Sequence, residues 1–348
     1  MTLRIIHVGF GGWGTNWHEE IIRPFKQVKV VGCVDGNTLA LAAAQEKLGL
    51  KPEICFETLA QAIEQTDAEA VVITAGLAGH APLAREALRA GLHVLVEKPF
   101  VATEKEARDL AAYARRRKRV LMVSQNYRFF PSVRAVQQII HEQQLGPVGT
   151  INIDFRRYAN NRTPGSRHYT MTHPLLLDMA VHQMDLLRAV LDVEPRSVVC
   201  YGHNPPWSNF EHYPTATALI HFPNDVMVTY RVSWIAHAAQ TAWAGEWTID
   251  CAEGAVVWTC RGGPTEEYVQ LVRHGGSTEE VKMPRLKHID RAGCLDAFVG
   301  AVETGAEPET SARDNVGTVR VVNALIASAK DNSPIRLRAR STRTREGS

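Results

Sequence analysis

The 348-residue chain lacks a strong excess of charge of either sign: Lys plus Arg number 39 and Asp plus Glu 37, a formal charge of +2. Five arginines against one Glu fall in residues 336–346, so the body of the protein lies near −2. A body so close to neutral excludes bulk electrostatic binding of nucleic acid. The Arg-rich stretch 336–348 reads as a solvated basic tail. Long apolar runs are missing too. Val232–Gly245 is free of charge for 14 residues, but it holds His237, Gln240 and two tryptophans and is too short and too polar to span a bilayer. No basic-then-apolar pattern opens the chain. The six cysteines (33, 55, 200, 251, 260 and 294) are scattered with no CxxC pair, which excludes a disulfide framework and zinc-ribbon spacing. Reduced thiols and a cytoplasmic location are expected. There is no internal repeat.

What is present is the composition of an ordinary globular protein, 45% apolar and 22% charged, at a length that suits two domains. The first third alternates β-branched runs (4–9, 28–35, 53–56, 68–75, 93–97, 120–124) with helical patterns (14–25, 38–48, 58–65, 80–90, 103–117). Strands joined by crossover helices make a doubly wound parallel α/β sheet. After residue 125 the rhythm changes. A helical pattern over 131–143 leads to an alternating run at 150–158, then a single helix over 174–191. Closely spaced strand patterns follow at 196–203, 215–222, 226–235, 246–252, 255–259, 266–273 and 279–283, which predict an antiparallel meander. Helices over 290–303 and 312–330 close the chain. The expected organisation is an α/β domain at 1–125, an α+β domain with a large, mainly antiparallel open sheet at 126–335, and the tail.

Gly9-Phe10-Gly11-Gly12-Trp13-Gly14 stands between the first strand and the first helix with GxGxxG spacing. Gly9 permits the tight turn, Gly11 lets backbone approach a pyrophosphate, and Gly14 lets helix pack on strand. The second strand ends on Asp35, an acid placed to accept hydrogen bonds from an adenosine ribose and to repel a 2′-phosphate. Gly36-Asn37-Thr38 follow with no Arg. A dinucleotide is expected, NAD favoured and NADP left open.

Two further motifs complete a pattern: Glu97-Lys98-Pro99 at the end of the fifth strand, and Asp178-x-x-x-His182-x-x-Asp185 downstream. With the glycine loop, Ile73–Pro82 after the fourth strand and Gln125-Asn126-Tyr127-Arg128-Phe129 after the sixth, the chain resembles the glucose–fructose oxidoreductase / inositol dehydrogenase (Gfo/Idh/MocA) family over nearly its whole length. It departs from that family around Thr172–His182, where a Gly-rich entry and a Gly between the Asp and His are usual. The resemblance implies a Rossmann first domain and a dehydrogenase or reductase acting on a CH–OH group of a sugar, inositol or related polyol. It implies cofactor contacts from Gly9, Phe10, Gly11, Gly12, Trp13, Gly14, Asp35, Ala75, His80, Glu97, Lys98 and Asn126. Relatives of the fold also run NAD-assisted glycoside cleavage, or act as non-catalytic NAD sensors.

The residues suit such chemistry in their own right. Oxidising an alcohol needs a group to take the hydroxyl proton as hydride leaves carbon. Lys98 follows a parallel strand at the edge where ligands bind in such sheets, and an ammonium there can hydrogen-bond the reacting oxygen. Positions 178, 182 and 185 fall on one stripe of a helix, opposite Leu177, Ala180, Met184, Leu187 and Leu191. His182 exchanges protons near neutral pH, and the resemblance implies the same trio of Lys98, His182 and Asp178. Asn126, Arg128, Tyr158, Arg167, His168 and Trp234 are candidate substrate contacts, and Trp207, Trp243, Trp247 and Trp258 read as packing residues. No second tightly spaced ligand pair accompanies Asp178 and His182, so no metal is expected. A broad apolar sheet predicts a homodimer or homotetramer formed through the second domain.

Overall fold

A computed structural model describes residues 2–163, 165–262 and 267–337, with the side chain of Arg167 excepted. The chain forms two compact units, one comprising residues up to Pro131 with Arg285–Arg320, the other Ser132–Pro284 with the chain from Val321 on.

In the first unit strand and helix alternate: β1 (Leu3–Val8), α1 (Gly12–Trp17), β2 (Val28–Val34), α2 (Thr38–Leu48), β3 (Cys55–Phe56), α3 (Leu59–Gln65), β4 (Ala70–Ile73), α4 (Leu77–Arg89), β5 (His93–Val96), α5 (Glu104–Arg117) and β6 (Leu121–Val123). All six strands are parallel, in the order β3-β2-β1-β4-β5-β6. The order reverses between β1 and β4, the switch point at which such sheets bind ligands. Side chains set the helix starts. Asn37 accepts from the Leu39 and Ala40 N–H groups, and Thr58 with Gln61 closes a capping box. The helix expected at 14–25 is instead α1 followed by a wider turn over His18–Ile22, in which Arg23 N–H bonds the His18 carbonyl at 2.9 Å.

The period of two along the strands divides the core. Ile6, Val8, Val71 and Ile73 face α3, α4 and α5. Leu3, Ile5, Ala70 and Val72 face Trp17 and Ile22, and that side is covered by Leu295, Phe298 and Val299 of α10 (Asp290–Thr304). The edge strand β6 is capped as Thr310 exchanges hydrogen bonds with Val123. The returning segment Arg285–Arg320 therefore belongs with the first unit by compactness, although the sequence drew one boundary after residue 125.

The second unit begins with α6 (Pro131–His141) and continues through β7 (Val148–Arg156), α7 (Arg167–Thr170), α8 (Pro174–Asp178), α9 (Ala180–Leu191), β8 (Ser197–His203), β9 (Thr215–His221), β10 (Met227–Ser233), β11 (Glu246–Cys251), β12 (Gly254–Thr259), β13 (Tyr268–Arg273) and β14 (Thr278–Glu280). It ends with α11 (Ala312–Asp331), whose first turns lie in the first unit, and β15 (Ile335–Arg336). The nine-stranded sheet runs β14-β13-β12-β11-β7-β10-β9-β8-β15. It is mainly antiparallel, as expected, but it is not a simple meander: β7 inserts between β10 and β11 and runs parallel to β10. On its inner face Trp247 packs against Trp258 with ring centroids 4.9 Å apart and planes tilted by 37°, and Tyr230 Oη donates to Gln183 Oε1 of α9 at 3.2 Å.

Three expectations are corrected here. The helix over 174–191 breaks at Met179 (φ −106°, ψ −43°), so Asp178 ends α8 and His182 lies in the first turn of α9. Nor does α9 present a polar front: Ala180–Arg188 are all buried, Asp185 included. The basic tail does not begin at 336, because Arg336 pairs with Ser197 and Leu337 N–H bonds the Arg196 carbonyl at 2.8 Å. The rest of that stretch lies outside the described residues.

Candidate active site

At the ends of β1 and β4 the glycines have separate reasons to be glycines. Gly9 takes φ +98°, and a Cβ there would stand 2.5 Å from Ala75 N. A Cβ on Gly14 would stand 1.8 Å from the Gly9 carbonyl. At Gly11 and Gly12 a Cβ would meet nothing within 4 Å, so this stretch of backbone is open to a large ligand. Asp35 holds the loop: its carboxylate accepts from Phe10 N–H at 2.6 Å and Asn37 N–H at 2.8 Å, and each oxygen retains lone pairs for a ribose hydroxyl. These residues fit a dinucleotide. Trp13 is 43% exposed at the loop's tip, with the Arg291 guanidinium 4.4 Å from its ring centre.

Lys98 follows β5, half-buried, and a cis peptide joins it to Pro99. Buried Glu97 accepts from Trp17 Nε1 at 2.8 Å and from Lys98 N–H at 3.1 Å. His80, 2% exposed, has Nδ1 2.8 Å from the Pro99 carbonyl and Nε2 2.9 Å from the Ala75 carbonyl. The imidazole thus ties the Lys98–Pro99 turn to the chain beside the glycine loop, and both ring nitrogens face backbone. Asn126 donates to Asp290. Buried Arg128 pairs with Asp314 at 2.6 Å and bonds the Glu309 carbonyl at 3.2 Å. Both side chains thus fasten β6 to the returning segment.

In the second unit Asp178 is half-buried and His182 buried. Trp234 (3% exposed) packs edge-on to Phe155 and to His168, each at 5.2 Å between centroids. Trp234 Nε1 and His168 Nε2 are buried without a hydrogen-bond partner among the described residues. Burial, then the charge of Arg162, lowers the His168 pKa, and Asp178 opposes them. Tyr158 packs against exposed His237 with ring centroids 4.6 Å apart and planes tilted by 40°, with Trp207 beyond. The side chain of Arg167 lies outside the described residues.

The sequence reading missed a group under the loop: His7 Nδ1 lies 3.2 Å from His18 Nδ1, and His7 Nε2 2.9 Å from Thr74 Oγ1. The one local signal was a histidine in phase with Leu3 and Ile5 on a buried strand face. The described residues hold no group of three or more His, Cys, Asp or Glu arranged to bind a metal.

A glycine loop at the switch point, an acid closing β2 and a lysine fixed at the same sheet edge define a dinucleotide-dependent oxidoreductase. A profile described as "Oxidoreductase family, NAD-binding Rossmann fold" matches residues 3–125, and one described as "GFO/IDH/MocA C-terminal domain" matches 133–257. The chain belongs to the Gfo/Idh/MocA family and is an NAD-binding oxidoreductase. It is 25% identical over 349 residues to an uncharacterized protein of Sinorhizobium fredii, covering 97% of this chain and 96% of that one. To D-apiose dehydrogenase of Paraburkholderia graminis it is 24% identical over 344 residues, covering 95% and 89%. In fold it resembles an Agrobacterium radiobacter oxidoreductase solved in complex with NAD+, L-tartaric acid and magnesium, with a TM-score of 0.82, 17% identity and coverage of 97% and 98%. No helix among the described residues is long and apolar enough to cross a membrane.

Proposed function

We propose that the protein interconverts a secondary alcohol and its ketone on a sugar, inositol or related polyol, with Lys98 and His182 handling the hydroxyl proton and Asp178 assisting. The observation that carries this reading is the fixed Glu97-Lys98-Pro99 turn, held by Trp17 and His80 at the sheet edge that bears the glycine loop. Bound NAD supplies the hydride acceptor. The Lys98 ammonium donates a hydrogen bond to the reacting oxygen and favours its deprotonated form. His182 takes the hydroxyl proton and returns it in the reverse direction. Asp178 orients that imidazole or holds a neighbouring substrate hydroxyl. Trp234 Nε1 and His168 Nε2, both buried without a hydrogen-bond partner among the described residues, serve substrate hydroxyls, and Tyr158 is a further contact. Asn126 and Arg128 hold the scaffold, since their side chains are engaged by Asp290 and Asp314. D-apiose dehydrogenase, a sugar enzyme by its name, supports the substrate class.

Lys98 belongs to the first unit, and Asp178 and His182 to the second. Lys98→Met is expected to bind NAD with wild-type affinity and to lose turnover by about 10²–10⁴-fold, the usual worth of a proton-handling group. Normal turnover in that variant removes Lys98 from the mechanism. Dinucleotide binding without turnover on any polyol, in the wild type, turns the reading toward a sensor.

Two properties follow as parts of the same reading. Val199, Tyr201, Leu219, Met227 and Val257 project from the outward face of the second unit's sheet, with Tyr201 56% and Leu219 49% exposed. A second copy of the chain covers this face in a homodimer or homotetramer. All six cysteines are free thiols, which suits a cytoplasmic location.

A further inference from the structure

We propose that His18, His7 and Thr74 form a one-way hydrogen-bond relay that fixes the Gly9 carbonyl and so positions the dinucleotide loop for its cofactor. The direction follows from donor arithmetic. Thr74 Oγ1 lies 2.8 Å from the Gly9 carbonyl, 3.2 Å from the Val8 carbonyl and 2.9 Å from His7 Nε2. Carbonyl oxygens only accept, and the Val8 oxygen already takes the Thr74 N–H at 2.8 Å. The single hydroxyl proton therefore goes to Gly9, and His7 Nε2–H donates to the hydroxyl oxygen. A neutral imidazole carries one N–H, so His7 Nδ1 accepts, and its neighbour at 3.2 Å, His18 Nδ1, donates.

Both rings are buried, and burial holds both in the neutral form this requires. The fold makes the relay possible. His7 lies on β1 in phase with Ile5, Thr74 directly follows the adjacent parallel strand β4 two residues beyond Val72, and His18 opens the wide turn that follows α1. Beyond the Gly9 carbonyl, the relay reaches the loop at two further points. Phe10, its second residue, packs its ring 4.6 Å from His7 and 5.6 Å from His18. Thr74 Oγ1 occupies the gap left by Gly14, where a Cβ would lie 2.6 Å from it. His7, His18 and Thr74 are thus positioning residues: they hold the turn whose unobstructed backbone at Gly11 and Gly12 would meet the cofactor, and they touch no reacting atom.

The relay is tested on the full chain by cofactor titration and imidazole NMR. Thr74→Val keeps the shape and removes the hydroxyl. It is expected to raise the Kd and KM for NAD about five- to ten-fold, the worth of one to two lost hydrogen bonds, with kcat within about two-fold. Thr74→Ser restores affinity. A double variant of Thr74→Val with His18→Phe loses no more affinity than the weaker-binding single variant, because the two act through one chain. Nitrogen-15 spectra of labelled wild-type protein read the tautomers directly: His7 protonated on Nε2 and His18 on Nδ1. The opposite tautomers, wild-type NAD affinity in folded Thr74→Val, or a Thr74→Ser variant as weak as Thr74→Val, each overturns the relay.

Discussion

The buried histidines beneath the glycine loop make this protein's stability depend on pH. Burial, aided by the charge of Arg23, pushes the His18 pKa from 6.5 down to about 4, and burial with His18 nearby pushes His7 well down. Between about pH 6.5 and 4 the unfolded chain therefore binds protons that the folded chain refuses. The stability due to neutral His18 is fully present above pH 6.5 and drains away as pH falls through that window. A loss of roughly 2 kcal/mol between pH 7 and 5 is expected from this residue alone. Urea unfolding at several pH values measures it, and His18→Phe flattens the slope; an unchanged slope contradicts the assignment. At this scale the sequence was legible where a short motif sets the local backbone. Gly9–Gly14, Asp35 and Glu97-Lys98-Pro99 stand where their spacing places them. The side-chain partners of His80 and Arg128 were not legible, because Pro99, Ala75 and Asp314 are brought to them only by the fold. The His7–Thr74 contact joins residues 67 apart in sequence.

The elements show which glycines the loop can spare. Gly14→Ala drives a methyl to 1.8 Å from the Gly9 carbonyl, so strand and helix must part. Loss of NAD binding and a fall of several degrees in Tm are expected. Gly12→Ala meets no atom within 4 Å and leaves Tm unchanged by scanning calorimetry, because Ala is the better helix former. Equal Tm for the two variants contradicts the packing described. Nearly every strand and helix was legible from periodicity, since β-branched runs and capping residues such as Asn37 and Thr58 act locally. Strand pairing was not. Nothing within Val148–Arg156 says that it lies between β10 and β11, parallel to one and antiparallel to the other. The break at Met179 was hidden as well, because Pro174–Leu191 has no internal Gly or Pro to mark it.

Across the whole chain the returning segment is the largest departure from the sequence reading. Leu295, Phe298 and Val299 complete the core beside Trp17, a role that no local pattern discloses. The chain's end behaves likewise: ending it after Leu337 is expected to preserve NAD affinity, whereas ending it at Pro334 removes the β15 pairing with Val198 and Ser197 and lowers Tm. Equal Tm for the two truncations makes that pairing dispensable. Replacing Leu219 by Asp on the outward face is expected to shift the assembly toward monomer in light scattering; an unchanged mass removes that face from the interface. The central claim is tested most directly by following NADH formation over a panel of inositols, aldoses and their acids, with wild type and Lys98→Met side by side and NAD binding confirmed for both. Expected is turnover of at least one polyol by the wild type and its near-complete loss in the variant. Turnover that survives the substitution, or none in the wild type on any polyol, contradicts a dehydrogenase that works through Lys98.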